Sequence, residues 1–296
     1  MLDEKDYKEP SCPFDFSMWT DEDPASRIPV DRVIEKEDAF LAKNDYPGAE
    51  RLLKYWLGEA QAGGDVRGAF AVLNELMGVM RKSGRESDAF SYAEQAVALS
   101  HHPSIGDGSI AQATAFLNAA TVRKAFGKSE EAVALYEKAA AIYEKELDEN
   151  DPRLGGLYNN TALALTDVGR ADEAVALYLR AIELMGKVKN GALEQGMSYL
   201  NLCDALLKRD GVLLNDKNEP CDESDETASL VLPKETDEAI ERYLDLAWDA
   251  LNDPTVPANG YYAFVCSSSA GVFHYYGREN EAIALKRMAE EIYEGT

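Results

Sequence analysis

An internal repeat constrains this chain more than any other feature. From Gly127 to Tyr143 it reads GKSEEAVALYEKAAAIY, and from Gly169 to Met185 GRADEAVALYLRAIELM, with eight identities in seventeen positions. Each copy follows a helical stretch that opens at Asn118 or Asn160, so the unit is a helix, a turn at glycine and a second helix. Within the second helix Ala132, Leu135, Tyr136, Ala139, Ile142 and Tyr143 keep the i, i+3, i+4, i+7 spacing of one buried face. A single helix pair cannot bury that face alone, so pairs must stack into an array in which each stabilises the next.

The turn and an alanine five residues later mark the same unit along most of the chain: Asn44 with Ala49, Gly84 with Ala89, Gly127 with Ala132, Gly169 with Ala174, and Gly277 with Ala282. Glycine tolerates the left-handed conformation that ends a helix, and alanine lets two antiparallel helices approach closely. Successive alanines from Ala49 lie 40, 43 and 42 residues apart, and the step from Ala174 to Ala239 is 65. The excess falls between the helices of a fifth pair, roughly residues 212–234, around DKNEPCDESDE. Its flanks, Val212-Leu213-Leu214 and Leu230-Val231-Leu232, read either as a small β-ribbon or as part of an irregular loop, and a lone ribbon is marginal. The acidic run lacks the alternating oxygen ligands and central glycine of a calcium loop. A second helix resumes over Asp237–Leu251, and residues 261–293 make a sixth pair.

Residues 1–30 lack helical periodicity and combine four prolines with Phe14, Phe16 and Trp19. They read as an extended arm, either a loose terminus or a segment anchored on the array by those aromatics. The array itself occupies 31–296. Its last pair carries Tyr262, Phe264, Val265, Phe273, Tyr275 and Tyr276, which form either a bare edge that favours self-association or a face turned toward the preceding pair.

Charge bears on the partner. Acidic residues number 54 against 30 basic ones, a net −24, which repels nucleic acid and anionic membranes and favours a basic or neutral partner. Four scattered cysteines without a CxxC pair, a charged N-terminus without an apolar core, and no segment of membrane-spanning length point to a cytoplasmic protein.

These units resemble the tetratricopeptide repeat: a small residue in the first helix, Gly at the turn and Ala early in the second, here Ala120, Gly127 and Ala132, then Ala162, Gly169 and Ala174. The 42-residue period and the Asn-x-Ala of the first helix, at Asn118 and Asn160, are similar to the kinesin light chain type. The proline that closes the family's unit is largely missing. The resemblance implies an all-α fold, a right-handed superhelical solenoid of about six antiparallel helix pairs. It also implies that the first helices line a concave groove that holds an extended peptide.

Asn74, Asn118, Asn160 and Asn201 recur at spacings of 44, 42 and 41, which sets an asparagine at each step of the first-helix layer. An amide both donates and accepts, so such a ladder either pairs with the main chain of an extended ligand or bonds between neighbouring helices. Thr121, Asn159, Asp204, Lys208, Ser267 and His274 lie near these positions and would supply specificity. The lysine clamp of the family's chaperone-binding members is absent, since Leu73, Leu117, Asn159 and Leu200 precede the four asparagines.

No metal spacing involves His101, His102 or His274, and no nucleophile elbow, phosphate loop or dinucleotide fingerprint occurs. The expectation is therefore a non-enzymatic scaffold without cofactor or metal that binds an extended peptide. The competing expectation is a structural adaptor that works through its terminal edge or acidic insertion, including as a homodimer through the C-terminal repeat.

Overall fold

The computed structural model describes residues 28–214 and 229–295. The arm aromatics Phe14, Phe16 and Trp19 and the acidic tip of the insertion lie outside the described residues. Among the described residues the chain forms twelve α-helices and one two-stranded ribbon: α1 (Val30–Leu41), α2 (Tyr46–Gly63), α3 (Val66–Lys82), α4 (Glu86–Ser100), α5 (Ile110–Ala125), α6 (Ser129–Glu146), α7 (Pro152–Asp167), α8 (Ala171–Met185), α9 (Ala192–Asp210), β1 (Val212–Leu214), β2 (Ser229–Val231), α10 (Lys234–Leu251), α11 (Gly260–Tyr275) and α12 (Glu279–Gly295).

The helices pair as the repeat demands. At the five marked turns Asn44, Gly84, Gly127, Gly169 and Gly277 all take positive φ, between 54° and 78°. The next residue's N–H then reaches back five positions: Asp45 to Phe40, Arg85 to Met80, Lys128 to Arg123, Arg170 to Leu165 and Arg278 to Phe273, at 2.8–2.9 Å. These bonds satisfy carbonyls that the end of a helix leaves open, and they close each pair locally. The alanines that follow, Ala49, Ala89, Ala132, Ala174 and Ala282, are all buried, so the small side chain sits where the helices approach.

The chain divides into two compact units, one made of the residues up to Glu149 together with those from Tyr293 on, and the other of Asn150–Ile292. In the first unit α3 packs against α1, α2, α4 and α5, and its core includes Leu53, Leu76, Met77, Met80 and Ala93. Ile28, ahead of α1, is fixed to this core because its N–H donates to the Asp65 carboxylate at 3.1 Å. In the second unit α9 packs against α7, α8, α10 and α11 around buried Leu157, Tyr178, Leu202, Ile240 and Phe273.

The flanks of the insertion form an antiparallel ribbon with Val212 opposite Val231, Leu213 opposite Leu230 and Leu214 opposite Ser229. Helix α10 begins at Lys234, three residues before the sequence-based start at Asp237, with Pro233 at the N-cap. The last pair is mostly covered. Val265 and Phe273 are buried, Tyr262, Phe264 and Tyr276 are half-buried, and Phe273 meets Trp248 of α10 edge to face at 6.0 Å. Of the six residues in that stretch only Tyr275 is exposed, so the broad bare edge narrows to one aromatic.

Candidate functional site

The first helices carry the asparagines, and the structure gives those amides definite partners. On α3, Asn74 is buried; its Nδ2 donates to the Phe70 carbonyl at 2.9 Å, and its Oδ1 accepts from Asn118 Nδ2 of α5 at 3.1 Å. In the second unit Asn159 Oδ1 accepts from Asn201 Nδ2 of α9 at 3.1 Å and from Ser198 Oγ at 3.2 Å. Asn160 is half-buried and takes no part in that pair. The amides therefore link neighbouring first helices, and in the fourth pair the linking residue is Asn159 rather than Asn160. Asn159 Oδ1 accepts both of the bonds that an amide oxygen can take.

Thr121 stands one helical turn beyond Asn118. Its Oγ1 bonds the Leu117 carbonyl at 2.9 Å and the Tyr136 hydroxyl at 3.1 Å. Burial pushes the Tyr136 phenol up to about 12, partly offset by Thr121 and by the charge of Arg81. On α9, Asp204 and Lys208 pair with each other at 2.9 Å, both side chains half exposed. Ser267 is half-buried on α11. His274, at the end of α11, is exposed, and its Nδ1 lies 2.7 Å from the Glu279 carboxylate across the turn. The structure thus brings Asn74, Asn118 and Thr121 together in one unit, and Asn159, Asn201, Asp204 and Lys208 on the adjacent helices α7 and α9 in the other. His274 belongs to the closure of its own turn.

Sequence reasoning missed the tyrosine hydroxyls as organisers of this layer. Tyr136 bonds Thr121, and Tyr143 bonds Thr114 at 2.6 Å. The signal was available, since Tyr136 and Tyr178 are identical repeat positions and a buried phenol needs a partner. Cys203 and Cys266 are buried free thiols pushed up by desolvation, to about 12 and about 11, which suits packing rather than nucleophilic chemistry.

A family model described as tetratricopeptide repeat matches residues 68–145, and a second model of the same description matches residues 111–189. The chain carries tetratricopeptide repeats. Such repeats are, in general, protein–protein interaction scaffolds. Among solved structures, this tetratricopeptide-repeat chain is similar to BtubC (BKLC) from P. vanneervenii, with 19% identity, 75% of this chain and 79% of that one covered, and a TM-score of 0.61. A putative kinesin light chain from Podosopora anserina with nearly identical TPR-like repeats is similar at 19% identity, 75% and 93% coverage and a TM-score of 0.50. These likenesses show the fold, an all-α stack of helix pairs. No curated protein sequence matches the chain. Among the described residues no helix is long and apolar enough to cross a membrane.

Proposed function

We propose that this tetratricopeptide-repeat protein is a non-enzymatic scaffold whose first-helix layer holds an extended peptide segment of a partner protein. The observation that carries the reading is the pair of amide links, Asn118 to Asn74 and Asn201 to Asn159, which fix asparagine side chains between adjacent first helices. An amide held in place by its neighbour meets a peptide main chain at little ordering cost. Thr121, one turn from Asn118, and Asp204 and Lys208, on the same helix as Asn201, would tune side-chain preference, with Asn160, Ser267 and His274 as further candidates.

Peptide-library selection on the intact chain tests this, with the triple variant Asn118→Ala, Asn160→Ala, Asn201→Ala in parallel after matched thermal melts. The expected result is that the parent enriches peptides and the variant binds them at least about tenfold more weakly. Equal enrichment by both would remove the amides from the site. A second reading, self-association through the C-terminal repeat, is favoured by Tyr275 of α11 and Ile283 of α12, both 64% exposed. It predicts a mass by light scattering that rises with concentration and falls back in Tyr275→Ser/Ile283→Ser.

A further inference from the structure

Helix α9 has a side that α8 and α10 do not cover, and its contacts mark where that side lies. Gln195 Nε2 donates to the Ile182 carbonyl of α8 at 3.0 Å, and the Tyr199 ring stacks on Tyr243 of α10 at 5.8 Å. Elsewhere around the helix Ser198 Oγ meets Asn159 of α7 at 3.2 Å, and the Met197 sulfur takes the Tyr261 hydroxyl of α11 at 3.9 Å. Successive residues of a helix turn by about 100°, so Glu194 and Asn201 fall between the bearings of Ser198 and Met197. Both therefore point between α7 and α11, away from α8 and α10.

Glu194 is half-buried there, and among the described residues no cation and no other side chain meets its carboxylate. Only its own backbone N–H favours the charge, and burial outweighs it. The bases of the neighbouring first helices do not relieve it. Arg153 of α7 holds Asp151 at 2.7 Å, while on α9 Lys208 holds Asp204 at 2.9 Å and Arg209 holds Asp210 at 2.6 Å. Helix α11 contains no lysine or arginine. Glu194 lies one turn before Ser198, and Gly156 of α7 lies one turn before Asn159, to which Ser198 is bonded. Gly156 is exposed and an added Cβ would meet nothing within 4 Å, so that turn of α7 stays open.

An unpaired carboxylate drawn partly out of water weakens a fold until a cation meets it. Two turns along, the Asn201 amide is engaged only through Nδ2, on Asn159, and its Oδ1 accepts no bond among the described residues. Glu194 and Asn201 are about 10 Å apart along the helix, a span that about three residues of extended chain cover. We propose that this side of α9 takes an extended segment of a partner protein that carries a lysine or arginine, the cationic head pairing with Glu194 and a main-chain N–H donating to Asn201 Oδ1. The net charge of −24 draws such a segment in from a distance, and Glu194, less screened than a fully exposed acid, holds it on contact. This rests on the peptide-binding reading above and gives its ligand a charge and an anchor.

The test is fluorescence anisotropy on the full-length chain with two labelled, N-acetylated peptides of about twelve residues, one alternating Lys with Ser and one alternating Glu with Ser. The expected result is saturable binding of the Lys peptide that is at least about fivefold weaker in Glu194→Gln and unchanged in Glu290→Gln, which removes an exposed acid of α12. Asn201→Ala should also weaken the Lys peptide but keep its preference over the Glu peptide. Thermal melts check that each variant folds, and Glu194→Asp, which retracts the charge by one methylene, serves if Glu194→Gln does not. Preference for the Glu peptide, binding of neither, equal binding by the parent and Glu194→Gln, or an equal loss in Glu290→Gln would overturn the proposal. So would a doubled mass abolished by Glu194→Gln, which would make a second copy the occupant. If the library experiment yields neutral or acidic peptides that depend on the asparagines, the peptide-binding reading survives and only the charge assignment falls.

Discussion

A buried tyrosine hydroxyl is the smallest unit on which the first-helix layer depends. Tyr136 and Tyr143 each present one to a threonine of α5, at 3.1 and 2.6 Å. Tyr136→Phe keeps the ring and loses the bond, and it should lower unfolding free energy by about 1 kcal/mol in urea titration, because Thr121 retains the Leu117 carbonyl. Glu194 on α9 makes the opposite case. Burial raises its carboxyl above the usual range, so below the unfolded-state value the group costs nothing, and stability falls as pH rises through the folded-state value. Glu194→Gln should therefore stabilise the protein at pH 7 and leave it unchanged in strong acid. The spacing of asparagines was legible at this scale and their facing was not. Asn159 and Asn160 differ by about 100° around a helix, and only the packing of α9 on α7 decides which meets Asn201.

At the scale of the element, turns and alanines could be read directly because they answer to local backbone chemistry. A left-handed residue followed by a bond to the fifth residue back needs no distant contact. Gly127 has φ 73° with open space around its missing Cβ, so Gly127→Ala should cost about 1 kcal/mol from backbone strain alone. Ala132→Leu should cost about 1–3 kcal/mol through overpacking, while exposed Ala134→Leu on the same helix should be near neutral. Chemical denaturation of the three variants separates backbone strain from packing. The ribbon was legible only as one of two options, since three-residue strands carry too little pattern to exclude a loop. The last pair's apolar residues were likewise legible only as one of two options, because one helix sequence does not say which neighbour covers which side.

Over the whole molecule, composition spoke of net charge but not of its distribution between layers, which appears only when each helix is assigned to the first or second position of a pair. Ion pairs then tie successive pairs within each unit. Glu50 of α2 meets Lys54 and Arg85, and Arg278 meets Glu241, Asp245 and Glu281. Hydrogen bonds from Lys54 and Arg85 hold the Glu50 carboxyl below its ordinary value, and Arg278 does the same for Glu281. A depressed carboxylate contributes stability above its unfolded-state value and loses it as pH falls through the folded one. Melting temperature should thus decline through the acidic carboxylate range, with a shallower slope in Glu50→Gln. The β1–β2 ribbon bears on how this chain tolerates change. Three cross-strand pairs pin Leu214 beside Ser229, so the chain leaves and re-enters the fifth pair at one point. Doubling the length of what lies between them would cost only about 0.6 kcal/mol of closure entropy. The clasp turns one helix junction into a port, where added length costs the stack little in closure entropy.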